Sequence, residues 1–202
     1  MKTENPQLIS YNTLRRIVGI LGIAFPIVLS VGALLFGDCD SIQKSISIYY
    51  HTIMRNFFVG ILSAIGLFLF TYKGYERIDN IAGTLAGIFA FGVAFFPCSI
   101  TGPFTNCLPS PLDNGIWFVL HLISAGALFI TLALFSIFLF TKTQGQKTKM
   151  KIKRNRLYRT CGIIMLVSIA IIGIVAILNH YGHLIWLQKY DFIFWLEYIS
   201  LC

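Results

Sequence analysis

The sequence predicts an all-α membrane protein: a polytopic transmembrane bundle of five full spans and a shorter sixth helix at the C-terminus, forming one domain over residues 1–202. Of the 202 residues, 56% are hydrophobic and only 12% are charged, about half the charged share of a soluble domain. Long apolar runs recur along the chain, and at about 1.5 Å per residue they can cross a hydrocarbon core of roughly 30 Å. The predicted spans are 17–36, 56–72, 81–96, 116–140, 161–178 and 191–202.

The orientation of these spans follows from a basic linker at 141–160, which contains no acid and half of the sixteen Lys and Arg residues. Because Lys and Arg in short loops stay on the cytoplasmic side, the linker, the N-terminus and the turn at 73–80 are predicted to lie inside, most simply in a bacterial inner membrane. Only Lys44, Arg55 and Lys189 are then outside. The net charge of +8 therefore reflects topology rather than nucleic-acid binding. The cations at 142–159 would attract anionic lipid headgroups.

The first span contains Pro26, which is expected to kink its helix. The following outer stretch, 37–55, has helical spacing that suits a short interfacial helix, although its alternation at 45–49 equally suits an extended segment. Tyr49 and Tyr50 are predicted to lie in the headgroup layer, which favours amphipathic aromatic rings.

The third span carries a ridge of small side chains. Since lipid gives helices no hydrophobic reason to associate, close backbone approach over small residues has to supply the packing. The ridge predicts a central helix that packs through Ala82, Gly83, Ala86, Gly87, Ala90 and Ala94.

Proline-rich residues 97–115 and residues 179–189 are predicted to form outer loops. The last apolar segment, 191–202, rises only about 18 Å as a helix, so we expect either a half-span or a chain whose natural C-terminus lies beyond Cys202.

Three cysteines, Cys39, Cys98 and Cys107, fall in the predicted outer loops. In an oxidising compartment Cys98 and Cys107 could close a disulfide, which would leave Cys39 over. Buried thiols are the equally weighted alternative, since cysteine often behaves as a small hydrophobe.

All four histidines are predicted near the outer side, and Glu197 is an acid within the last apolar segment. Ionisable groups at membrane depth are costly and usually face the bundle interior or a wet cavity. The first functional hypothesis is therefore an outward-facing, aromatic-lined cavity between helices that binds a lipid or small apolar ligand without a cofactor. Its predicted residues are Tyr49, Tyr50, His51, Arg55, His121 and Glu197, with Arg55 pairing either an anionic headgroup or Glu197.

The second hypothesis is a metal-dependent hydrolase of lipid or amide substrates, in which outer histidines bind zinc and leave one position for water. Its predicted ligands are His51, His121, His180 and His183. Hydrogen bonding of these imidazoles to neighbouring helices or headgroups is the simpler interpretation.

Ser47-x-x-x-His51 is similar to the Ser-x-x-x-His motif of the alkaline ceramidase and progestin/adipoQ receptor superfamily, which implies a zinc amide hydrolase. Two departures stand against the resemblance. That family has an aspartate at the same depth on the next helix, whereas Asp79 is predicted on the opposite face, and its distal pair is His-x-x-x-His rather than His180-x-x-His183.

Ser45-Ile46-Ser47, the YKGYERIDN turn and the FWLEYIS ending resemble a bacterial family of six-helix proteins that is distantly similar to the DRAM/FRAG-type membrane proteins. The resemblance implies six helices, with the sixth cut short at Cys202, and it implies no established enzymatic activity.

Two further classes are weighed. A homo-oligomer acting as a pore or scaffold would assemble through the small-residue ridge at 82–94. Nucleophilic catalysis would need Ser47 or Ser124 beside a histidine, and Ser124 follows His121 by three residues on one helix face.

Overall fold

The computed structural model of the chain describes residues 11–72, 76–100, 107–108, 115–142, 148–180 and 192–201. These residues form an all-helical fold. The helices are α1 (Tyr11–Phe36), α2 (Arg55–Thr71), α3 (Arg77–Phe95), α4 (Ile116–Leu134), α5 (Lys149–His180) and α6 (Phe192–Leu201), with a 3₁₀ helix (Ile46–His51) between α1 and α2.

Four of the described helices are long and apolar enough to cross a membrane, and they cover Arg16–Phe36, Arg77–Phe95, Ile116–Leu139 and Lys149–Leu178. The apolar helices α2, with 17 residues, and α6, with 10 residues, are shorter. Large apolar side chains point outward along the long helices, including Ile20 (65% exposed), Leu35 (69%) and Ile174 (56%). Such broad apolar surfaces are unusual on a soluble monomer, so the exposure pattern agrees with a membrane protein.

The helix α3 packs closely against α2 through its glycines. A Cβ atom on Gly87 would come within 2.8 Å of the Gly66 carbonyl oxygen and of Phe70 Cβ, and one on Gly83 within 2.8 Å of the Leu69 carbonyl oxygen. The ridge residues Gly83, Ala86, Gly87, Ala90 and Ala94 are buried and Ala82 is half-buried. The two backbones can approach this closely because the side chains between them are missing or small.

The basic linker is only partly a linker. The structure begins α5 at Lys149, twelve residues before the apolar run at 161, so six of the eight cations of the linker lie on helix. Lys and Arg are good helix formers, and no glycine or proline interrupts 149–161. At about 1.5 Å per residue the 32 residues of α5 exceed the thickness of the hydrocarbon core, which leaves its basic start room to project from the membrane.

The described boundaries of the other spans differ modestly from the prediction. The helix α3 begins at Arg77 rather than 81, and α4 continues through a π-helical turn at Phe135–Leu139. The carbonyl of Tyr158 on α5 accepts a 2.6 Å hydrogen bond from the hydroxyl of Ser136 in that turn. The π turn therefore lies where α4 contacts α5.

The stretch 37–54, predicted to lie outside, folds back into the bundle. Tyr49, in the 3₁₀ helix, is fully buried, and its hydroxyl donates to Ser30 Oγ over 3.2 Å. Ser30 lies six residues before the end of α1, which is about 9 Å along a helix axis. The ring of Tyr49, predicted to lie in the headgroup layer, is enclosed in the hydrophobic core of the bundle. Irregular backbone at this depth is tolerated because it is surrounded by protein.

Candidate functional site

The first contact of the site joins α6 to the start of the 3₁₀ helix. The Glu197 carboxylate accepts the Ser45 hydroxyl at 2.8 and 3.0 Å and also accepts the backbone N–H of Ile46. Hydrogen bonds to a carboxylate are among the stronger ones in proteins. Glu197 therefore fixes the segment at 45–46 against the last helix.

The second contact joins α4 to the same segment. His121, buried in α4, has its Nε2 atom 3.0 Å from Ser47 Oγ and its Nδ1 atom 2.7 Å from the carbonyl oxygen of Phe96, at the end of α3. Both nitrogens of the ring are engaged. One imidazole thus links the 3₁₀ helix, α3 and α4.

A third contact pair lies beside the second. His51 Nε2 is 2.7 Å from the Cys98 carbonyl oxygen, and the Cys98 thiol donates to the Ser47 carbonyl over 3.1 Å. Burial, together with the positive charge of Arg55, lowers the pKa of His51 although its hydrogen bond to Cys98 opposes this. Burial, and secondarily the Glu197 carboxylate, raises the pKa of Cys98 to about 12, so its thiol is not activated.

We call the set of polar side chains joined here the outer polar cluster, after the membrane side that the sequence predicts for it, and it comprises Ser45, Ser47, His51, Cys98, His121 and Glu197. The first 3₁₀ turn is shaped by Ser45, whose Oγ also accepts the backbone N–H of Ser47. Serine favours such a cap because its short side chain reaches its own backbone two residues on.

Arg55, at the start of α2, lies next to this cluster. Its Nη2 donates to the Tyr50 hydroxyl over 2.7 Å, and its guanidinium lies 4.5 Å from the centre of the Tyr50 ring. The Tyr50 hydroxyl in turn reaches the carbonyl of Phe95 at 3.4 Å. The cation is therefore held in one orientation at the outer end of α2.

The six ligand residues predicted from the sequence thus lie on or beside the 3₁₀ helix. Their burial and their hydrogen-bond partners differ from the prediction. Tyr49 and Tyr50 are buried core residues. Of the two alternative partners predicted for Arg55, Glu197 is not among its described contacts. Glu197 is bonded by Ser45 and Ile46, and Arg55 is bonded to Tyr50.

The disulfide differs from the predicted one as well. Cys39 is bonded to Cys107, not Cys98 to Cys107. Gln43 Nε2 approaches Cys107 Sγ at 3.3 Å, so the chain that leads into the 3₁₀ helix lies beside the disulfide. Cys98 is instead drawn into the polar cluster by its bond to the Ser47 carbonyl, where it keeps its thiol.

The predicted metal ligands can be placed only in part. His51 and His121 are close enough for their charges to interact, whereas His183 and the side chain of His180 lie outside the described residues. Within the described residues no group of three or more His, Cys, Asp or Glu side chains is arranged to hold a metal ion.

The opposite end of the bundle holds an ion-pair cluster that the sequence reasoning missed. Lys142, just after α4, lies 2.7 Å from Asp79 Oδ1 and 3.2 Å from Glu76 Oε2. Asp79 is only 2% exposed and also accepts the backbone N–H of Glu76. We call Glu76, Asp79 and Lys142 the inner ion-pair cluster, again after the membrane side predicted for it. An acid three residues after another, just before an apolar run, is the sequence signal of such a helix start.

On the same side, the first turns of α5 line a shallow depression of about 340 Å³. Its lining includes Arg156, Arg159 and Asn155 together with the apolar Ile152 and Ile163. Two cations beside apolar side chains suit the boundary between headgroups and acyl chains.

Comparison of the chain with protein-family models, curated proteins and solved structures found no match.

Proposed function

We propose that the chain is a six-helix protein of a bacterial inner membrane, with its N-terminus and the basic stretch 142–159 in the cytoplasm, and that it binds an anionic lipid at its outer face. The observation that supports the binding proposal most directly is the position of Arg55, a fixed cation between exposed apolar side chains. Its guanidinium is fixed by Tyr50, while its neighbours Ile53 and Phe57 are 63% and 55% exposed.

This arrangement provides contacts for both the headgroup and the acyl chains of a lipid. A phosphate or carboxylate of a headgroup would be bonded by the exposed guanidinium, which forms strong paired hydrogen bonds with such anions. The acyl chains would pack on the exposed Ile53 and Phe57. The nearest acid of the outer polar cluster, Glu197, accepts bonds from Ser45 and Ile46, so its described contacts do not compete for Arg55.

Two observations support the proposed orientation. Thirteen of the sixteen Lys and Arg residues fall on the side assigned to the cytoplasm, in agreement with the retention of cations there. The Cys39–Cys107 disulfide falls on the side assigned to the oxidising periplasm. On the cytoplasmic side, Arg156 and Arg159 beside the α5 depression would contact anionic headgroups of the inner leaflet.

The oligomeric scaffold is less well supported than lipid binding. The small-residue ridge that would join two copies packs against α2 of the same chain, so it is used within one bundle. The zinc hydrolase has no supporting group among the described residues. Elemental analysis of purified protein separates it from the binder, because a zinc enzyme would carry stoichiometric zinc that His121→Ala removes.

The lipid proposal is tested by native mass spectrometry of protein released from nanodiscs that contain phosphatidylglycerol and phosphatidylcholine. We expect the wild type to retain phosphatidylglycerol and Arg55→Ala to bind it about tenfold more weakly, as loss of one charge-assisted contact of roughly 1.4 kcal/mol requires. Lys44→Ala removes another outer cation, exposed in the structure, and should leave retention unchanged. Equal retention by both variants, or no retained lipid in the wild type, would overturn the proposal.

A further inference from the structure

The outer polar cluster contains a serine and a histidine in the geometry of an activated nucleophile. Ser47 Oγ lies 3.0 Å from His121 Nε2, and the far nitrogen of the ring lies 2.7 Å from the Phe96 carbonyl oxygen. A hydroxyl, a base in hydrogen-bond reach and a third group that orients the base form the general arrangement of nucleophilic catalysis. We propose that Ser47 is a nucleophile, that His121 is its general base, and that the chain hydrolyses an acyl ester at the outer membrane face.

The protonation pattern of the imidazole follows from its partners. A backbone carbonyl can only accept, so His121 Nδ1 must carry the hydrogen that is donated to Phe96. In the neutral ring Nε2 then has a lone pair, and the hydrogen of the Ser47–His121 bond belongs to the serine. The Phe96 carbonyl therefore holds His121 in the tautomer that can take a proton from Ser47, and Phe96 acts as a positioning residue.

The surrounding contacts hold Ser47 in place from several sides. Its backbone N–H donates to Ser45 Oγ, and its carbonyl accepts the Cys98 thiol. Because Glu197 bonds Ser45, the position of the Ser47 backbone is set by α6 as well. The residue is half-buried rather than fully enclosed, and the proposed reaction requires an ester group to reach its hydroxyl.

Other candidate nucleophiles are less suitable. The Cys98 thiol has a pKa of about 12 and stays protonated at neutral pH. The Ser45 hydroxyl donates to the Glu197 carboxylate, and the Ser124 hydroxyl lies against Gly92 on α3. Among the described serines of the outer polar cluster, Ser47 is therefore the one whose hydroxyl is paired with an imidazole, the commonest general base in proteins.

The reaction has two balanced halves. Ser47 Oγ forms a bond to the ester carbonyl carbon while its proton passes to His121 Nε2, and collapse of the intermediate breaks the ester C–O bond, with the proton leaving on the alcohol. Water then attacks the acyl-serine, its proton passes to His121 and on to Ser47, and the carboxylic acid is released. No oxidant, reductant or metal takes part in these steps.

The choice of a lipid ester as substrate rests on the proposed lipid binding, but the nucleophile can be tested without it. An alkyl fluorophosphonate forms a P–O bond to an activated serine and loses fluoride, and the labelled residue is identified by peptide mass spectrometry. We expect the full chain in nanodiscs to be labelled at Ser47. Loss of the base in His121→Gln should slow the labelling at least about 100-fold, the usual contribution of general base catalysis.

Two controls keep the outcome decisive. Ser124→Ala, on the same helix as His121, should be labelled at the wild-type rate. If His121→Gln does not fold, the pH profile of wild-type labelling decides, because the rate should fall as acid protonates a single imidazole. Absence of label, label on another residue, or a rate that neither His121→Gln nor pH alters would refute the nucleophile. The two proposals can fail separately. Label at Ser47 in a wild type that retains no phosphatidylglycerol supports the nucleophile and overturns the lipid site, whereas Arg55-dependent lipid retention without label does the reverse.

Discussion

The outer polar cluster and the inner ion-pair cluster close the two ends of one helix bundle by different physical means. At the outer end, a segment of chain folds back between the helices, and histidine, serine, cysteine and glutamate side chains bond its backbone and hydroxyls. At the inner end a lysine just after α4 bonds two acids at the start of α3.

The difference follows from the backbone that each end of the bundle contains, which is irregular at one end and helical at the other. The 3₁₀ segment brings irregular backbone to about the depth of Ser30, where every N–H and C=O group needs a partner inside the protein. Serine, cysteine and histidine side chains, together with the Glu197 carboxylate, supply these partners. The inner end has a regular helix start, so one cation suffices to pair the buried Asp79. Chemistry is therefore better sought at the outer end, where polar side chains surround an irregular backbone.

The largest expected effect concerns the disulfide of the outer end. Cys39→Ser opens a loop with a sequence separation of 68 residues and should destabilise the protein by about 4 kcal/mol in the chain-entropy model. Thermal unfolding in detergent measures the loss, and Cys161→Ser, which removes a thiol on α5, is the matched control. Equal unfolding temperatures for the two variants would contradict the Cys39–Cys107 bond.

The next largest effect tests the attachment of α6 to the outer polar cluster. Glu197→Ala leaves the Ser45 hydroxyl and the Ile46 N–H without their acceptor, which should cost about 3 kcal/mol. Glu197→Gln keeps one acceptor oxygen and should recover at least half of the loss in the same unfolding measurement. If Gln is as damaging as Ala, the carboxylate does not act through these bonds.

A smaller effect on the free energy of unfolding is expected at the contact between α2 and α3, the two helices that connect the ends of the bundle. Gly87→Ala places a methyl group 2.8 Å from backbone and side-chain atoms of α2, so the helices must separate at a cost of about 1–3 kcal/mol. Gly60→Ala meets nothing within 4 Å and should stabilise α2 by up to about 1 kcal/mol. The two substitutions are chemically identical. Changes of opposite sign in the free energy of unfolding would therefore show that close packing of α3 on α2 causes the loss in Gly87→Ala.

The smallest effect is a pH dependence of the inner end. Hydrogen bonding to Asp79 is the largest cause that raises the pKa of Lys142 above its ordinary 10.5. The stabilisation is therefore complete below pH 10.5 and is lost as the pH rises through the higher folded-state pKa. The arginine of Lys142→Arg stays charged in this range. The unfolding temperature of this variant should therefore change less between pH 9 and 12 than that of the wild type. If the unfolding temperatures of the wild type and Lys142→Arg fall in parallel as the pH rises, deprotonation of Lys142 is not the cause of the alkaline loss of stability.

Some of this architecture is readable from the sequence, because it depends on composition and local periodicity. Long apolar runs indicate the membrane helices, and spacing of small residues marks the face of α3 that meets α2 at Gly83 and Gly87. The sequence also predicts that the six proposed ligand residues share one side of the bundle, and in the structure they lie on or beside the 3₁₀ helix.

The remainder depends on how distant parts of the chain meet. The partner of Cys107 is set by the path of residues 37–46, which periodicity does not describe. The contact of Ser47 with His121 spans 74 residues, and Glu197 reaches Ser45 across 152. The burial of Tyr49 was missed for the same reason, since a headgroup position is the default for an aromatic residue at a helix end and only tertiary packing overrides it.

The central claim is that the outer end of the bundle, around Arg55 and the 3₁₀ helix, is where a lipid is held. Photo-crosslinking with a diazirine-bearing phosphatidylglycerol in nanodiscs, followed by peptide mapping, tests it most directly. We predict that crosslinks concentrate in residues 44–57 and fall about tenfold in Arg55→Ala. Crosslinks spread evenly over the exposed apolar faces of α1 and α5, and unchanged in Arg55→Ala, would contradict the account.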